Sequence, residues 1–184
     1  MIMSNIVIVC AKRSAIGNFN GGLASLSAAE IGAQVLKEAL ACCRLDPADV
    51  DEVILGQVLT ANCGQNPARQ TAMKAGIPDG KTAMTINQVC GSGLRSVALG
   101  MQAILAGDAT IVVAGGQESM SQSPHAAHLR SGIKMGNGSM VDTMINDGLW
   151  DCFNDYHMGT TAQNVADQNR ISREEQTHFL RKAS

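Results

Sequence analysis

Thr82-Ala-Met-Thr-Ile-Asn-Gln-Val-Cys-Gly-Ser-Gly93 is the stretch that decides how this chain folds. Thr82 to Ile86 has the length and composition of a short strand, and it runs straight into a glycine-bearing turn. Beyond the turn Leu94, Val97, Ala98, Met101 and Leu105 recur at helical spacing until Gly107 closes the series. Ala109-Thr-Ile-Val-Val-Ala114 follows as another strand and ends at Gly115-Gly116. Strand, turn, helix and strand in this order form one β-α-β unit.

Upstream the pattern repeats. Asn5 to Ala11 is a β-branched run that reads as a fully buried strand. Ser27-Ala-Ala-Glu30 has the spacing of a capping box, in which the hydroxyl accepts an amide proton and the carboxylate reaches back. Ile31, Val35, Leu36 and Leu40 continue it as a helix from Ala28 to Cys43. Glu52 to Val58 reads as a strand, and Pro67 opens a short helix that Gly76 and Pro78 end. The resulting order β-α-β-α-β-α-β predicts a layered α/β fold with a mainly parallel sheet. After Gly116 the period is lost, and residues 117–160 read as an excursion from the sheet. Helical spacing returns at Thr160 to Asn169, and Ser172-Arg-Glu-Glu175 is a second capping box.

The composition fits this reading. Of 184 residues 45% are hydrophobic, yet aromatics are 3%, so Ala, Val, Ile, Leu and Met must build the core. Charged residues are 16%, against about 25% in typical soluble chains. A net charge of −2 excludes a strongly basic nucleic-acid platform. The apolar runs fall short of the roughly 18 residues that span a bilayer, so no membrane segment is expected. Cys10, Cys42, Cys43, Cys63, Cys90 and Cys152 contain no C-x-x-C pair, and no structural zinc is expected. Reduced thiols and a cytoplasmic setting are the expectation.

Cys90 is the residue with chemistry to offer. It sits where a strand passes into a helix start, and amides and the positive helix end there favour a thiolate. The same amides suit the oxygen of a tetrahedral intermediate. Spacing alone leaves two readings open, a nucleophile or an inert buried thiol. Cys10, Cys42 and Cys43 read as core thiols, and Cys63 and Cys152 as loop residues without a catalytic part. His125 and His128 stand three apart but lack a third ligand.

Four stretches in order carry a resemblance: Gly64-Gln-Asn-Pro-Ala-Arg-Gln70, Asn87-Gln-Val-Cys-Gly-Ser-Gly-Leu-Arg95, Ala114-Gly-Gly-Gln-Glu-Ser-Met120 and Tyr156-His-Met-Gly-Thr-Thr161. Together they resemble the N-terminal portion of the thiolase family, most closely its biosynthetic acetyl-CoA acetyltransferases. The resemblance implies a thiolase-like αβαβα layered fold, whose N-terminal half has a mixed, mainly parallel sheet. Residues 1–118 would be the N-terminal domain without its final strand, and 119–184 the start of a loop domain that covers the CoA site.

The resemblance also implies the reaction: two acetyl-CoA give acetoacetyl-CoA and CoA, or the reverse, through an acyl group on Cys90. The Cys90 amide would be one oxyanion donor, and Leu149, His157 and Met158 would line the acyl and pantetheine pocket. Coenzyme A thioesters enter as substrates and no cofactor is implied. Arg13, Arg69, Arg95 and Arg130 are candidates for CoA phosphates, but none is assigned. A homo-oligomer, a tetramer in the family, is implied as well.

The family's activating G-H-P histidine and its second, C-x-G cysteine have no counterpart in these 184 residues, and neither does the C-terminal domain. The chain alone is therefore expected to be inactive and to need the C-terminal half or a complementary chain. Two other readings stay in view: a non-catalytic CoA-binding or assembly subunit, and a thiol redox protein acting at Cys90.

Overall fold

A computed structural model describes residues 6–183. The chain divides between Met144 and Ile145 into two compact units. In the first unit, α1 (Ala28–Cys43) starts as the sequence predicts. The Ser27 hydroxyl accepts the Glu30 amide proton at 3.2 Å, and the Glu30 carboxylate takes the Ser27 amide at 2.8 Å. The helix ends on Arg44 in the left-handed region, φ 52°.

Then come β1 (Glu52–Gly56), α2 (Pro67–Ala75), β2 (Thr82–Ile86), α3 (Ser92–Ala106) and β3 (Val112–Gly116). β1 is the central strand and pairs in parallel with β2 on one side and β3 on the other. Its side chains are buried on both faces. Val53 and Leu55 join Ala33, Leu36, Leu40, Val50, Ala68, Ala72, Ala75 and Ile77 in the main core beneath α1 and α2. Ile54 has the opposite parity and lies at the register position of Ala114, which faces Gly100 of α3. So α1 and α2 cover one face of the sheet and α3 the other, as a layered α/β fold requires.

The structure corrects two expectations. Residues 6–11 form no strand: Val7, Ile8 and Val9 are 68, 78 and 75% exposed, and the segment pairs with neither edge of the sheet. Asn5 lies outside the described residues. A β-branched run becomes a strand only beside an edge that takes its amides, and segment 6–11 lies along neither outer edge of the sheet, β2 or β3. The second correction concerns α3. Val89–Ala106 is long and apolar enough, by length and composition alone, to cross a membrane. Its alanines and aliphatic residues raise the average although no unbroken apolar run exists. Nevertheless α3 packs here on β1 and β3 through the small residues Ser92, Ser96 and Gly100.

Asp51 ties the N-terminal ends of the strands together. Its carboxylate accepts the amides of Thr110 and Ile111 at 2.8 and 3.1 Å and pairs with Lys81 at 3.4 Å. The Thr110 and Ile111 amides, more than Lys81, hold its carboxyl below the usual aspartate range. The stability it contributes is fully present above the unfolded value of about 3.9 and is lost as pH falls through the folded value. Asp51→Asn is expected to flatten the acid side of a plot of Tm against pH below about pH 4. An unchanged acid limb would show that the carboxylate does not couple to folding.

The first unit also contains a two-stranded antiparallel pair, β4 (His125–Ala126) with β5 (Val141–Asp142). His125 thus sits in a strand, with Nε2 3.9 Å from the Asp142 carboxylate. In the second unit, β6 (Trp150–Asp151) and β7 (Tyr156–His157) form a hairpin that leads into α4 (Met158–Asn169) and α5 (Arg173–Ala183). The second capping box forms as predicted, with Ser172 and Glu175 exchanging hydrogen bonds at 2.7 and 3.2 Å.

Candidate active site

Cys90 lies on an exposed turn at the C-terminal edge of the parallel sheet, directly after β2 and just before α3. This is where ligands bind in open α/β sheets. Local hydrogen bonds build the turn. Asn87 Oδ1 accepts the Val89 amide at 2.9 Å, and the Gln88 amide donates to Ser92 Oγ at 2.7 Å. Ser92 Oγ donates in turn to the Val89 carbonyl at 2.6 Å. The Gly91 and Ser92 amides are engaged as well, with the carbonyls of Gln88 and Val89 at 3.1 Å each. Val89 has φ 48°, in the left-handed region that a β-branched residue rarely enters. Such strain costs about 1–3 kcal/mol and gathers where geometry serves function.

Glycines seat the turn on the sheet. A Cβ at Gly56, the last residue of β1, would stand 2.5 Å from Ser92 Cβ and 2.6 Å from the Ser92 carbonyl carbon. One at Gly116, the last residue of β3, would stand 3.2 Å from Gly93 Cα. Ser96 Oγ adds a bond to the Gly115 carbonyl at 2.7 Å. The N-terminal turn of α3 therefore rests directly on backbone.

A part-buried polar cluster holds the chain segments that leave β1 and β3. Gln117 Nε2 donates to Gln57 Oε1 at 2.9 Å, and the Thr71 hydroxyl donates to Gln117 Oε1 at 2.7 Å. The Glu118 carboxylate accepts the amides of Val58 at 2.9 Å and Leu59 at 3.3 Å. Burial pushes its carboxyl up, and the bonds from Val58, Leu59 and Ser119 only partly offset this. Stability from the protonated form is therefore full below the unfolded value of about 4.3 and is lost as pH rises through the folded one. Glu118→Gln is expected to remove that loss above about pH 4.3, read as a Tm that no longer declines toward neutral pH. A variant that follows the wild-type profile would place the charge elsewhere. Sequence reading quoted Gln117 and Glu118 within a motif but gave them no role; the signal was two adjacent polar residues at the end of an apolar strand.

Cys63 is half-buried beside this cluster. Its thiol donates to the Leu59 carbonyl at 3.4 Å, and burial raises its pKa. Arg69 is committed to the carbonyls of Lys81 and Asp79, a structural role. Cys42 is exposed and Cys10 and Cys43 are half-exposed, so the expectation of core thiols is corrected. Cys10 lies in the unpaired segment 6–11, and Cys42 and Cys43 sit in the last turn of α1.

Leu149, His157 and Met158 all lie in the second unit, on either side of one hairpin. Leu149 ends a π-helical turn, Ile145–Leu149, and is followed by Trp150, the register partner of His157. Met158, next to His157, is the first residue of α4. Asp151 fixes the connecting turn by accepting the amides of Phe153 and Asn154 at 2.9 and 3.1 Å. His157 caps α4, its Nδ1 accepting the Gly159 amide at 3.0 Å. Neutral His157 therefore carries its proton on Nε2 and presents it as a donor. Cys90 belongs to the other unit.

The architecture is a parallel α/β sheet with a cysteine on a strained turn between strand and helix. Residues 6–182 match the family model described as "Thiolase, N-terminal domain", and the chain belongs to that family. It is 65% identical over 176 residues to an "Acetyl-CoA acetyltransferase" of Allochromatium vinosum, covering 95% of this chain and 45% of the relative. Over 177 residues it is 60% identical to a protein of that name from Paracoccus denitrificans, again 45% of the relative. A third of the same name, from Shinella zoogloeoides, is 58% identical over 173 residues, 94% of this chain and 44% of the relative. The chain thus spans about half the length of the curated relatives it matches.

Proposed function

We propose that this chain supplies the acyl-accepting half of an acetyl-CoA acetyltransferase, with Cys90 as nucleophile. The observation that carries the reading is the placement of Cys90, exposed on a strained turn at the sheet's C-terminal edge in a thiolase N-terminal domain. The Cys90 thiolate attacks the thioester carbonyl of acetyl-CoA, and the carbon–sulfur bond to CoA breaks. CoA leaves as a thiolate and takes up a proton. The Cys90 amide is the oxyanion donor of this reading, since the Gly91 and Ser92 amides already serve the turn. The acetyl group then passes to C2 of a second, deprotonated acetyl-CoA, giving acetoacetyl-CoA and a free Cys90. Leu149, His157 and Met158 line the acyl and pantetheine channel, His157 donating from Nε2.

The activating histidine and the acid/base cysteine of the Claisen step come from a complementary C-terminal half. The outward face of α3 supports such a partner: Leu94, Val97, Met101 and Leu105 are 80, 37, 46 and 62% exposed along one stripe. A face this apolar on the helix that follows the nucleophile suits burial against a second domain. A cytoplasmic homo-oligomer, tetrameric and serving lipid metabolism, completes the reading.

Complementation tests it. The chain is mixed with a C-terminal half prepared from one of the relatives, and acetoacetyl-CoA thiolysis is measured. Activity is expected only in the mixture. If the two halves co-purify but remain inactive, the assembly-subunit reading replaces this one.

A further inference from the structure

Asparagine followed by glycine occurs twice in the chain, at Asn20-Gly21 and at Asn137-Gly138, and the fold treats the two pairs differently. In such a pair the glycine nitrogen can attack the asparagine side-chain carbon and close a cyclic imide. Glycine has no Cβ to hinder the approach. What holds that nitrogen then decides whether the ring closes.

At Asn20 it is held. The Gly21 amide donates to the Asn18 carbonyl at 2.8 Å, and the Asn20 amide donates to Ser121 Oγ at 2.9 Å. Asn20 itself is fixed in the left-handed region, φ 54°. Asn137 stands in the opposite situation. Residues 127–140, between β4 and β5, form neither helix nor strand, and Asn137 and Gly138 are both exposed. Among the described residues neither has a hydrogen-bond partner. The atom nearest to where a Gly138 Cβ would stand is Ile133 Cδ1, at 2.6 Å, the movable end of an apolar side chain that bonds no amide.

We propose that Asn137 is a modification site that deamidates spontaneously to aspartate and isoaspartate, while Asn20 is spared. The Gly138 nitrogen attacks Cγ of Asn137 and gives up its proton. The Cγ–Nδ2 bond breaks, and ammonia leaves with that proton. Water then opens the imide, at Cγ to give aspartate or at the main-chain carbonyl carbon to give isoaspartate. In sum one side-chain amide and one water yield one carboxyl group and ammonia, and nothing is oxidised or reduced. The product adds one negative charge to a chain whose net charge is −2. It places that charge in a loop whose Ile133, Met135 and Met140 are exposed, and isoaspartate also lengthens the backbone there by one carbon.

The test incubates the intact chain at mildly alkaline pH, with ion-exchange chromatography and tryptic mapping at intervals. A more acidic form is expected to accumulate, with the change at Asn137 in the peptide of residues 135–170. Isoaspartate at that position should accept a methyl group from S-adenosylmethionine through an isoaspartyl methyltransferase. Asn20, in the peptide of residues 14–37, is expected to convert at least about fivefold more slowly, the factor set by breaking one amide hydrogen bond. In guanidinium chloride that difference should vanish, because only the fold protects Gly21. Asn137→Gln should remove the acidic form, since its imide ring would be one atom larger and slower to close. An Asn137 that stays unmodified overturns the proposal, and so does an Asn20 that keeps pace with it in the folded chain.

Discussion

Cys90→Ser is expected to lower acetyl transfer in the reconstituted enzyme by at least about 10³-fold while leaving Tm within a degree of wild type. The two halves of this expectation come from different features. A serine hydroxyl holds its proton at neutral pH, whereas sulfur is intrinsically the stronger nucleophile. Thioester exchange between two sulfurs is also nearly balanced, so replacing sulfur by oxygen unbalances the step. Stability is spared because Cys90 is exposed and the turn is built from Asn87, Gln88, Val89 and Ser92. The loss should appear in kcat with KM little changed, since the pocket assigned to pantetheine lies on other residues. A drop in Tm that parallels the drop in rate would instead make Cys90 a structural residue.

Gly56→Ala carries the second large effect, and it acts from beneath the site. The added methyl would stand 2.5 Å from Ser92 Cβ, 2.6 Å from the Ser92 carbonyl carbon and 2.7 Å from the Gly93 nitrogen. These atoms cannot rotate away as a flexible side chain can, so the start of α3 must lift from β1. Overpacking of this kind destabilises by about 1–3 kcal/mol. The turn that bears Cys90 leads directly into the displaced helix, so the rate of Cys90 acetylation is expected to fall by about 10²-fold, as shifts near 1 Å do at reacting centres. Gly80→Ala is the control: nothing lies within 4 Å of its Cβ position, and both Tm and rate should hold. Equal behaviour of the two variants would mean that the turn does not depend on its seat against β1.

Where local chemistry decides structure, the sequence was legible. Ser27 with Glu30 placed the start of α1, Pro67 and Gly76 bounded α2, and Gly107 ended α3, because caps and breakers act within a few residues. The strand over Thr82 to Ile86 was read to the residue, and with it the turn at Cys90. The β3 boundaries slipped to Val112–Gly116 because glycines at its end carry no strand signal yet pair with β1. Segment 6–11 misled for a different reason. Its side chains have strand composition, but pairing needs a neighbouring edge that composition does not record.

The hairpin of Trp150 and His157 was invisible for a similar cause, since strands of two residues have no period. At the site, the pattern of strand, glycine and helix singled out Cys90 but left it open between a nucleophile and an inert buried thiol; the structure places it exposed on the turn. The polar cluster of Gln57, Thr71, Gln117 and Glu118 joins residues far apart in the chain, and only the folded arrangement reveals it. His157 was named through resemblance, but its bond to the Gly159 amide, which fixes the tautomer, depends on the cap geometry of α4.

Whether Cys90 accepts an acyl group is most directly read by mass spectrometry of the chain, assembled with a complementary C-terminal half and quenched shortly after acetyl-CoA is added. One acetyl group per chain is predicted, mapped to the peptide containing Cys90 and absent in Cys90→Ser. An unmodified chain, or an acetyl group on any other cysteine, would contradict the assignment of Cys90 as the nucleophile.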